Sequence, residues 1–350
     1  MRKTEKIIDK KLNPSQEKII TESSLLFDIE TTGLSSKFCY IYIIGAAYLK
    51  NDVIHFIQYF AESKDDEELM IKEFIKLSES FNTYITFNGI NFDIRFISDR
   101  AKKYGFDTSV FSKDHTDLYK LIMPLKGVLG LSSLRQQAIE CFLNDDRTDE
   151  TSGGELIAVY NEFLEKNDEK LFEILYLHNR DDVLGLVEVC KMQGYISLFD
   201  PSEEKEGYLA ENNAKECVYS IMLTHPVPKS LNLLKNGIYL HAENNKAYLK
   251  LPLYSGELKY FYPNYKDYWF YPDEDMAVHS SLAVYSDKTH RIKATAKTAY
   301  TKVKGCFLPA AECEGNKFYD EYKGNAYIEI KEPGSLPAGY LNQILNTLKN

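Results

Sequence analysis

A ten-residue stretch, Leu25-Leu26-Phe27-Asp28-Ile29-Glu30-Thr31-Thr32-Gly33-Leu34, constrains this chain more than any other. Its apolar residues favour a strand, and a strand turns successive side chains to opposite faces, so Asp28 and Glu30 emerge on one side. Two carboxylates then share a small space. Like charges that close repel unless a cation lies between them, and a hard divalent ion with oxygen ligands is the usual solution. Thr31-Thr32-Gly33 ends the strand at once and leaves the pair at its open end. A D-x-E on a solvated edge needs no ligand, but the apolar run before this one and the stop after it favour a site.

The rest of the chain must supply a body for that strand. At 350 residues with 44% hydrophobic content it is long enough for one large domain or two ordinary ones. Met1 to Leu12 alternates basic and acidic residues without an apolar segment, and nowhere do eighteen apolar residues run together. The expectation is a soluble, unexported, cytoplasmic protein with no membrane partner. Cys39, Cys141, Cys190, Cys217, Cys306 and Cys313 lack zinc-site spacing and read as reduced thiols. The net charge of −10 argues against a protein that coats nucleic acid, but it is unevenly placed. Residues 1–200 hold 24 Lys and Arg against 34 Asp and Glu, whereas residues 201–350 hold 18 of each.

Apolar runs Phe38 to Leu49 and Val53 to Phe60, joined by Lys50-Asn51-Asp52, predict two more strands, antiparallel with the first. A helix follows from Leu69 to Leu77, behind the acids Asp65 to Glu68. Tyr84 to Phe87 reads as a short buried strand that ends in the turn Asn88-Gly89. The next helix is capped by Asn91 and carries Asp93 in its first turn, where an acid either serves the helix dipole or stands at the sheet's carboxyl edge as a site residue. Residues 114–123 read as a strand or short helix, with His115 and Asp117 as structural polar groups. Further helices are expected over Leu131 to Phe142 and Glu155 to Leu164, around a polar loop from Asn144 to Gly154.

A long helix from about Lys166 to Met192 has Lys166, Glu173, Arg180 and Lys191 on one face. Leu171, Leu175, His178, Asp182, Leu186 and Val189 lie opposite. Asp182 therefore falls within the apolar stripe, one turn from His178. A carboxylate aimed at a core is costly unless it is paired or binds a metal, so Asp182 is either a metal ligand or half of a buried His-Asp pair.

Three of these segments, in this order, resemble the motifs of the ribonuclease H-like 3'-5' exonucleases of the DEDD superfamily. Phe27 to Leu34 is similar to the first, Phe87-Asn88-Gly89-Ile90-Asn91-Phe92-Asp93 to the second and His178-Asn179-Arg180-Asp181-Asp182-Val183 to the third. Within that superfamily the chain looks most like the YprB-like group of bacterial predicted exonucleases, over about residues 22–195. The resemblance implies a ribonuclease H-like α/β fold, a mixed sheet flanked by helices. It implies two Mg²⁺ or Mn²⁺ ions on Asp28, Glu30, Asp93 and Asp182. It further implies 3'-5' hydrolysis of single-stranded DNA or RNA, with Thr31, Gly33 and Asn88 near the terminal nucleotide. The third motif departs from the pattern: relatives carry Tyr four residues before the final Asp or His five before it, and here His178 stands at the Tyr spacing. His178 is the candidate general base. The same fold with a silent site, acting as a nucleic-acid-binding or scaffolding module, is the alternative.

Past the polar run Asp200 to Gly207 the pattern changes, which divides the chain into an extension (1–21), an exonuclease domain (22–200) and a β-rich accessory domain (201–350) with a leading helix at Tyr208 to Leu223 and a closing helix at Gly339 to Leu348. The aromatics of Tyr260 to Tyr271 are either a small core or a base-stacking surface. Between Lys288 and Lys304 lie Arg291, Lys293, Lys297 and Lys302 without an acid, either a solvated face or a phosphate-binding strip. Lys293, Lys297 and Lys302 are its candidate substrate contacts.

Overall fold

The computed structural model describes residues 1–144, 153–286, 289–310 and 315–349. They fall into two compact units, Met1–Ser197 with His225–Lys229, and Leu198–Thr224 with Ser230–Asn350. In chain order the first unit contains β1 (Arg2–Ile8), α1 (Pro14–Ile19), β2 (Ser24–Thr31), β3 (Ile41–Lys50), β4 (Val53–Phe60), α2 (Glu67–Ser78), β5 (Thr83–Thr86), α3 (Asp93–Lys103), β6 (Asp114–Asp117), α4 (Leu118–Ile122), α5 (Gln136–Phe142), α6 (Gly153–Lys166) and α7 (Glu169–Val189); α8 (Gln193–Phe199) follows.

Its six strands form one mixed sheet in the order β1-β4-β3-β2-β5-β6. As expected, β2, β3 and β4 are antiparallel, while β5 and β6 run parallel to β2. The β3–β4 hairpin turns on Asn51 and Asp52, both with positive φ, the geometry that matches the right-handed twist of the strands. Residues 2–8, within the segment read as an extension, are an edge strand paired along their whole length with β4. Their Arg, Lys and Glu side chains keep that edge charged, which discourages further pairing.

Alternation along β2 sorts its two faces. Leu25, Phe27 and Ile29 are buried in one core with Met70 and Phe74 of α2 and Phe96, Ile97 and Ala101 of α3. The Phe27 ring lies 5.0 Å from that of Phe74 and 5.3 Å from that of Tyr84. Asp28 and Glu30 take the other face, toward α7. Beneath the first core a buried ion pair fixes the connection from β2 to β3. Arg100 Nε donates to Glu67 Oε1 at 2.7 Å, its Nη2 donates to Glu67 Oε2, and its Nη1 donates to the Ser36 carbonyl at 3.0 Å. Glu67 also accepts from the Ile41 amide (2.8 Å) and the Tyr104 hydroxyl (2.6 Å). One pair thus holds the middle of the loop and its junction with β3.

Several boundaries differ from expectation for local reasons. Residues 114–123 are both alternatives in succession, β6 then α4. Helix α5 starts at Gln136 rather than Leu131, because the Ser133 hydroxyl takes the Arg135 amide (3.1 Å) in place of a helical carbonyl. Helix α3 is capped by Phe92 with no side-chain bond, not by Asn91. Residues 145–152 of the expected polar loop lie outside the described residues.

The second unit is built on antiparallel strands: β7 (Gly207–Asn212), β8 (Glu216–Met222), β9 (Leu231–Lys235), β10 (Ile238–Glu243), β11 (Lys246–Pro252), β12 (Tyr254–Phe261), β13 (Tyr268–Tyr271), β14 (Met276–His279), the short helix α9 (Ser280–Ala283), β15 (Ile292–Lys293), β16 (Tyr300–Pro309), β17 (Lys317–Tyr319), β18 (Ala326–Ile330) and the closing helix α10 (Tyr340–Lys349). They make a five-stranded sheet, β7-β8-β11-β10-β9, a closed barrel, β12-β16-β18-β17, and a three-stranded sheet, β14-β13-β15. The helix expected at Tyr208 to Leu223 is instead the β7–β8 pair. Cys217, Tyr219 and Ile221 are buried at a spacing of two, a strand period that β-branched and aromatic residues reinforce. Leu258, Phe307 and Phe318 form a buried cluster in this unit, with Tyr260, Val303 and Tyr327 packed against it. The Tyr262 and Tyr268 rings stack at 4.1 Å. The expected aromatic stretch therefore contributes largely to packing.

The five described cysteines are free thiols; Cys313 and Lys288 lie outside the described residues. Among the described residues no helix is long and apolar enough to cross a membrane. Because removing one partner leaves a buried charge uncompensated, Arg100→Met is expected to destabilise the protein by about 3–5 kcal/mol, read from denaturant unfolding. A loss below about 1 kcal/mol contradicts the role given to the pair.

Candidate active site

The carboxylates singled out in the sequence converge at the carboxyl end of β2. Their strand ends in a bulge: Glu30 pairs with Ile43 but Thr31 with Ile41, so the chain turns away just past Glu30. Asp93, the first residue of α3, is 5% exposed, and its Oδ1 accepts from the amide of Ile29 (3.3 Å), the residue between Asp28 and Glu30. From α7, His178 Nε2 reaches Asp182 Oδ2 at 3.1 Å and Glu30 Oε1 at 3.5 Å. Glu30, His178 and Asp182 each offer an atom within 4.8 Å of the others.

The electrostatics follow from this crowding. Burial raises the Asp28 carboxyl well above its usual range, and the charges of Asp93, Asp182 and Glu30 raise it further, against one hydrogen bond from Asn179. Asp93 is pushed up to about 7, first by burial and then by Asp117 and Asp182, while its own amide and that of Ile29 work the other way. Four acids whose proximity costs free energy in the absence of a cation are a hard-oxygen donor set. The chemistry of these side chains fits divalent ions, with Asp28, Glu30, Asp93 and Asp182 as the groups that would hold them.

Three supporting residues escaped the sequence reading. Asn179 is fully buried; its Nδ2 donates to Asp28 Oδ2 (3.1 Å) and its Oδ1 accepts from Gln58 Nε2 (2.9 Å), which also reaches the Tyr176 carbonyl at 3.3 Å. Gly45 on β3 makes room for it, since a Cβ there would stand 2.1 Å from Asn179 Oδ1. A lone glycine inside the apolar run Ile41 to Leu49 was the available signal, because such a glycine marks close approach of another group. The helical wheel centred on Asp182 concealed Asn179. That stripe is buried at Leu175, His178 and Leu186 but also at Asn179 and Val183, and Asp182 lies at its partly open edge.

Of the residues expected near a substrate, Asn88 adopts a left-handed conformation (φ 61°), and its amide donates to buried Asp117 Oδ1 at 2.8 Å. Thr31 Oγ1 donates to the Gly33 carbonyl at 2.9 Å, and a Cβ on Gly33 would stand 2.7 Å from Cys39 Sγ. His115 bonds Thr86 (2.7 Å), the structural role expected of it. The three lysines belong to the second unit. Lys293 lies 4.8 Å from the Trp269 ring centroid, Lys297 is exposed, and Lys302 is not a free cation, pairing with Asp275 at 2.6 Å and Glu257 at 3.6 Å.

The raised acids predict a pH signature. A carboxyl with a folded pKa above its unfolded one stabilises the fold at low pH and loses that contribution as pH rises through the folded value. For Asp93 the window runs from 3.8 to about 7. Metal-free protein is expected to lose thermal stability across this window and to regain it on adding Mn²⁺ above pH 7. Asp28→Asn should raise the metal-free Tm and flatten its pH slope; a lower Tm with an unchanged slope contradicts mutual repulsion.

Residues 25–193 match a family model described as the RNase_H superfamily. No curated protein sequence matches the chain. Among solved structures, it is similar to a family B DNA polymerase from the hyperthermophilic archaeon Pyrobaculum calidifontis, at 14% identity and a TM-score of 0.40, over 93% of this chain and 41% of that one. An E. coli exonuclease I complex with single-stranded DNA matches at 14% identity and TM-score 0.33, over 57% of this chain and 54% of that one. A product-bound exonuclease I gives 14% and 0.30, over 57% and 58%. The chain thus spans at most about three-fifths of these proteins, and similarities that loose say nothing of its activity. With a mixed sheet of three antiparallel and two parallel strands beside its antiparallel edge, flanked by helices, the first unit has a ribonuclease H-like fold, and a β-rich region follows it.

Proposed function

We propose that the protein is a metal-dependent 3'-5' exonuclease that hydrolyses phosphodiester bonds of single-stranded DNA or RNA in the cytoplasm, with the YprB-like exonucleases as its relatives. The observation that carries this reading is the convergence of Asp28, Glu30, Asp93 and Asp182 beside His178 on a ribonuclease H-like sheet. Two Mg²⁺ or Mn²⁺ ions held by the four acids would supply charge stabilisation at the phosphate and a more acidic water. The chain's own groups do the rest. Asn179 fixes the Asp28 carboxylate, and the Ile29 amide fixes that of Asp93. Once the ions engage Asp182 and Glu30, the Nε2 lone pair of His178 would accept or steer the proton of the attacking water. Thr31, Gly33 and Asn88 line the approach of the terminal nucleotide. Residues 201–350 act as an accessory domain, with Lys293, Lys297 and Lys302 contacting strand phosphates.

One observation favours the second reading, a catalytically weak nucleic-acid-binding module: His178 stands within 3.5 Å of both Glu30 and Asp182, the acids that would share an ion. Incubation of end-labelled single-stranded DNA and RNA with Mn²⁺ separates the two. Stepwise loss from the 3' end is expected, with Asp28→Asn and Asp182→Asn inactive; uncut strands on a folded, strand-binding protein favour the module. His178→Ala should lower the rate about 10²- to 10⁴-fold with Mn²⁺ binding retained, and His178→Tyr should restore part of it. A rate within a few-fold of wild type removes His178 from the chemistry.

The lysines allow a separate test. Neutralising Lys293 and Lys297 should weaken strand binding and flatten its salt dependence, because fewer counterions are released. Lys302→Gln should do less, since Asp275 already occupies that cation. Affinities unchanged across a salt titration assign the strip to a solvated face.

A further inference from the structure

A tyrosine that belongs to none of the three motifs stands beside the acids from within the sheet. Where β2 bends, Glu30 pairs with Ile43 but Thr31 with Ile41, which leaves Tyr42 of β3 as the extra residue of the bulge. Bulges beside active sites commonly re-aim a side chain. Here the Tyr42 ring is wholly buried and stacks on that of Tyr160 in α6, with centroids 4.2 Å apart and planes 16° from parallel. Its backbone is held too: the Ala61 amide donates to the Tyr42 carbonyl at 2.9 Å, and the Tyr160 hydroxyl donates to the Ala61 carbonyl at 3.1 Å.

That packing explains the ring and not its polar end. The Tyr42 hydroxyl is closed to solvent and completes no well-formed hydrogen bond among the described residues. Phenylalanine would fill the same space without burying a donor, and a buried donor left unsatisfied is costly. The group within its reach is Glu30. Burial holds the phenol protonated, far above the ordinary tyrosine range, and the charges of Glu30, Tyr160 and Asp28 and a hydrogen bond toward Glu30 act in the same sense. Glu30 Oε1 meanwhile stands 3.5 Å from His178 Nε2.

We infer that Tyr42 is a positioning residue for Glu30, its hydroxyl donating to one carboxylate oxygen and leaving the other for a divalent ion. The inference rests on the nuclease reading for the presence of that ion, and it adds to the site a residue of β3. A neutral phenol suits the place, because it donates to a carboxylate without bringing a positive charge that would compete with the cation. Its ring is already fixed by Tyr160, so little freedom is lost when the bond forms. A carboxylate that holds an ion is fully ionised, the form that accepts most strongly, and the bond is therefore completed on loading. Partners of this kind strengthen metal binding by orienting the ligand before the ion arrives.

The test follows Mn²⁺ binding to the full-length protein through the paramagnetic resonance signal of the free ion, in the wild type, Tyr42→Phe, Glu30→Gln and the double variant. Tyr42→Phe keeps the stacked ring and removes only the hydroxyl. It should weaken Mn²⁺ binding about 10-fold. Its metal-free Tm should stay within about 2 °C of the wild type or rise, since the lost hydroxyl was poorly bonded there. In the Glu30→Gln background the same change should cost less than about 2-fold, because the carboxylate it served is gone. Equal Mn²⁺ affinities of the wild type and Tyr42→Phe overturn the inference, and so does a wild type that binds no Mn²⁺. A loss of the same size in both backgrounds, or a metal-free Tm that falls further than this, makes Tyr42 a packing group and overturns it as well. Cleavage of end-labelled strands by the wild type is scored independently. Mn²⁺ binding that depends on Tyr42 without cleavage overturns the nuclease reading and leaves the positioning role standing, and cleavage with binding indifferent to Tyr42 does the reverse.

Discussion

Around Asp28 three other carboxylates gather, and the hydrogen bond set against their repulsion comes from the side-chain amide of Asn179. That contact joins the third motif to the first. It exists because Gln58 turns the amide the right way and because Gly45 carries no side chain where Asn179 must sit. Any account of the site that names only acids omits the neutral groups that keep them aimed. A buried amide can serve this purpose where a cation cannot, since it donates to the carboxylate without supplying the positive charge that a metal would otherwise bring.

A different device governs the rim. The Arg100–Glu67 pair is almost wholly buried, and its spare donors and acceptors reach the Ser36 carbonyl, the Ile41 amide and the Tyr104 hydroxyl. Burying two charges is tolerable where every remaining proton and lone pair finds a partner. The loop between β2 and β3 can therefore be exposed at Leu34 and Phe38 while it is anchored at Ser36 and at the start of β3. The site accordingly has a floor set by the sheet and a rim set by one ion pair.

The second unit follows another logic. Hairpins with Asn at positive φ, such as Asn236 and Gly237 between β9 and β10, set strand register locally, and a small barrel closes its own edges. Its aromatic density belongs mainly to packing. The lysines that looked uniform in sequence become distinct in space: Lys293 lies over Trp269, Lys297 is exposed and Lys302 is claimed by Asp275.

The sequence by itself determined the parts whose pattern is local. Alternation in β2 separated Phe27 and Ile29 from Asp28 and Glu30, Asn51-Asp52 marked a hairpin, and the 3.6-residue period set His178 and Asp182 one turn apart. What only the tertiary structure decided was which neighbours meet across elements. The pairing of Asn179 with Asp28 spans 151 residues, and that of Arg100 with Glu67 spans 33. Neither leaves a periodic trace, because a hydrogen bond between distant elements depends on how the elements pack and not on spacing within either. The same reason explains the helix expected at Tyr208 to Leu223. A short apolar run there fits both periods, and the partner strand that selects one of them arrives only when β7, β8 and β11 come together in a sheet.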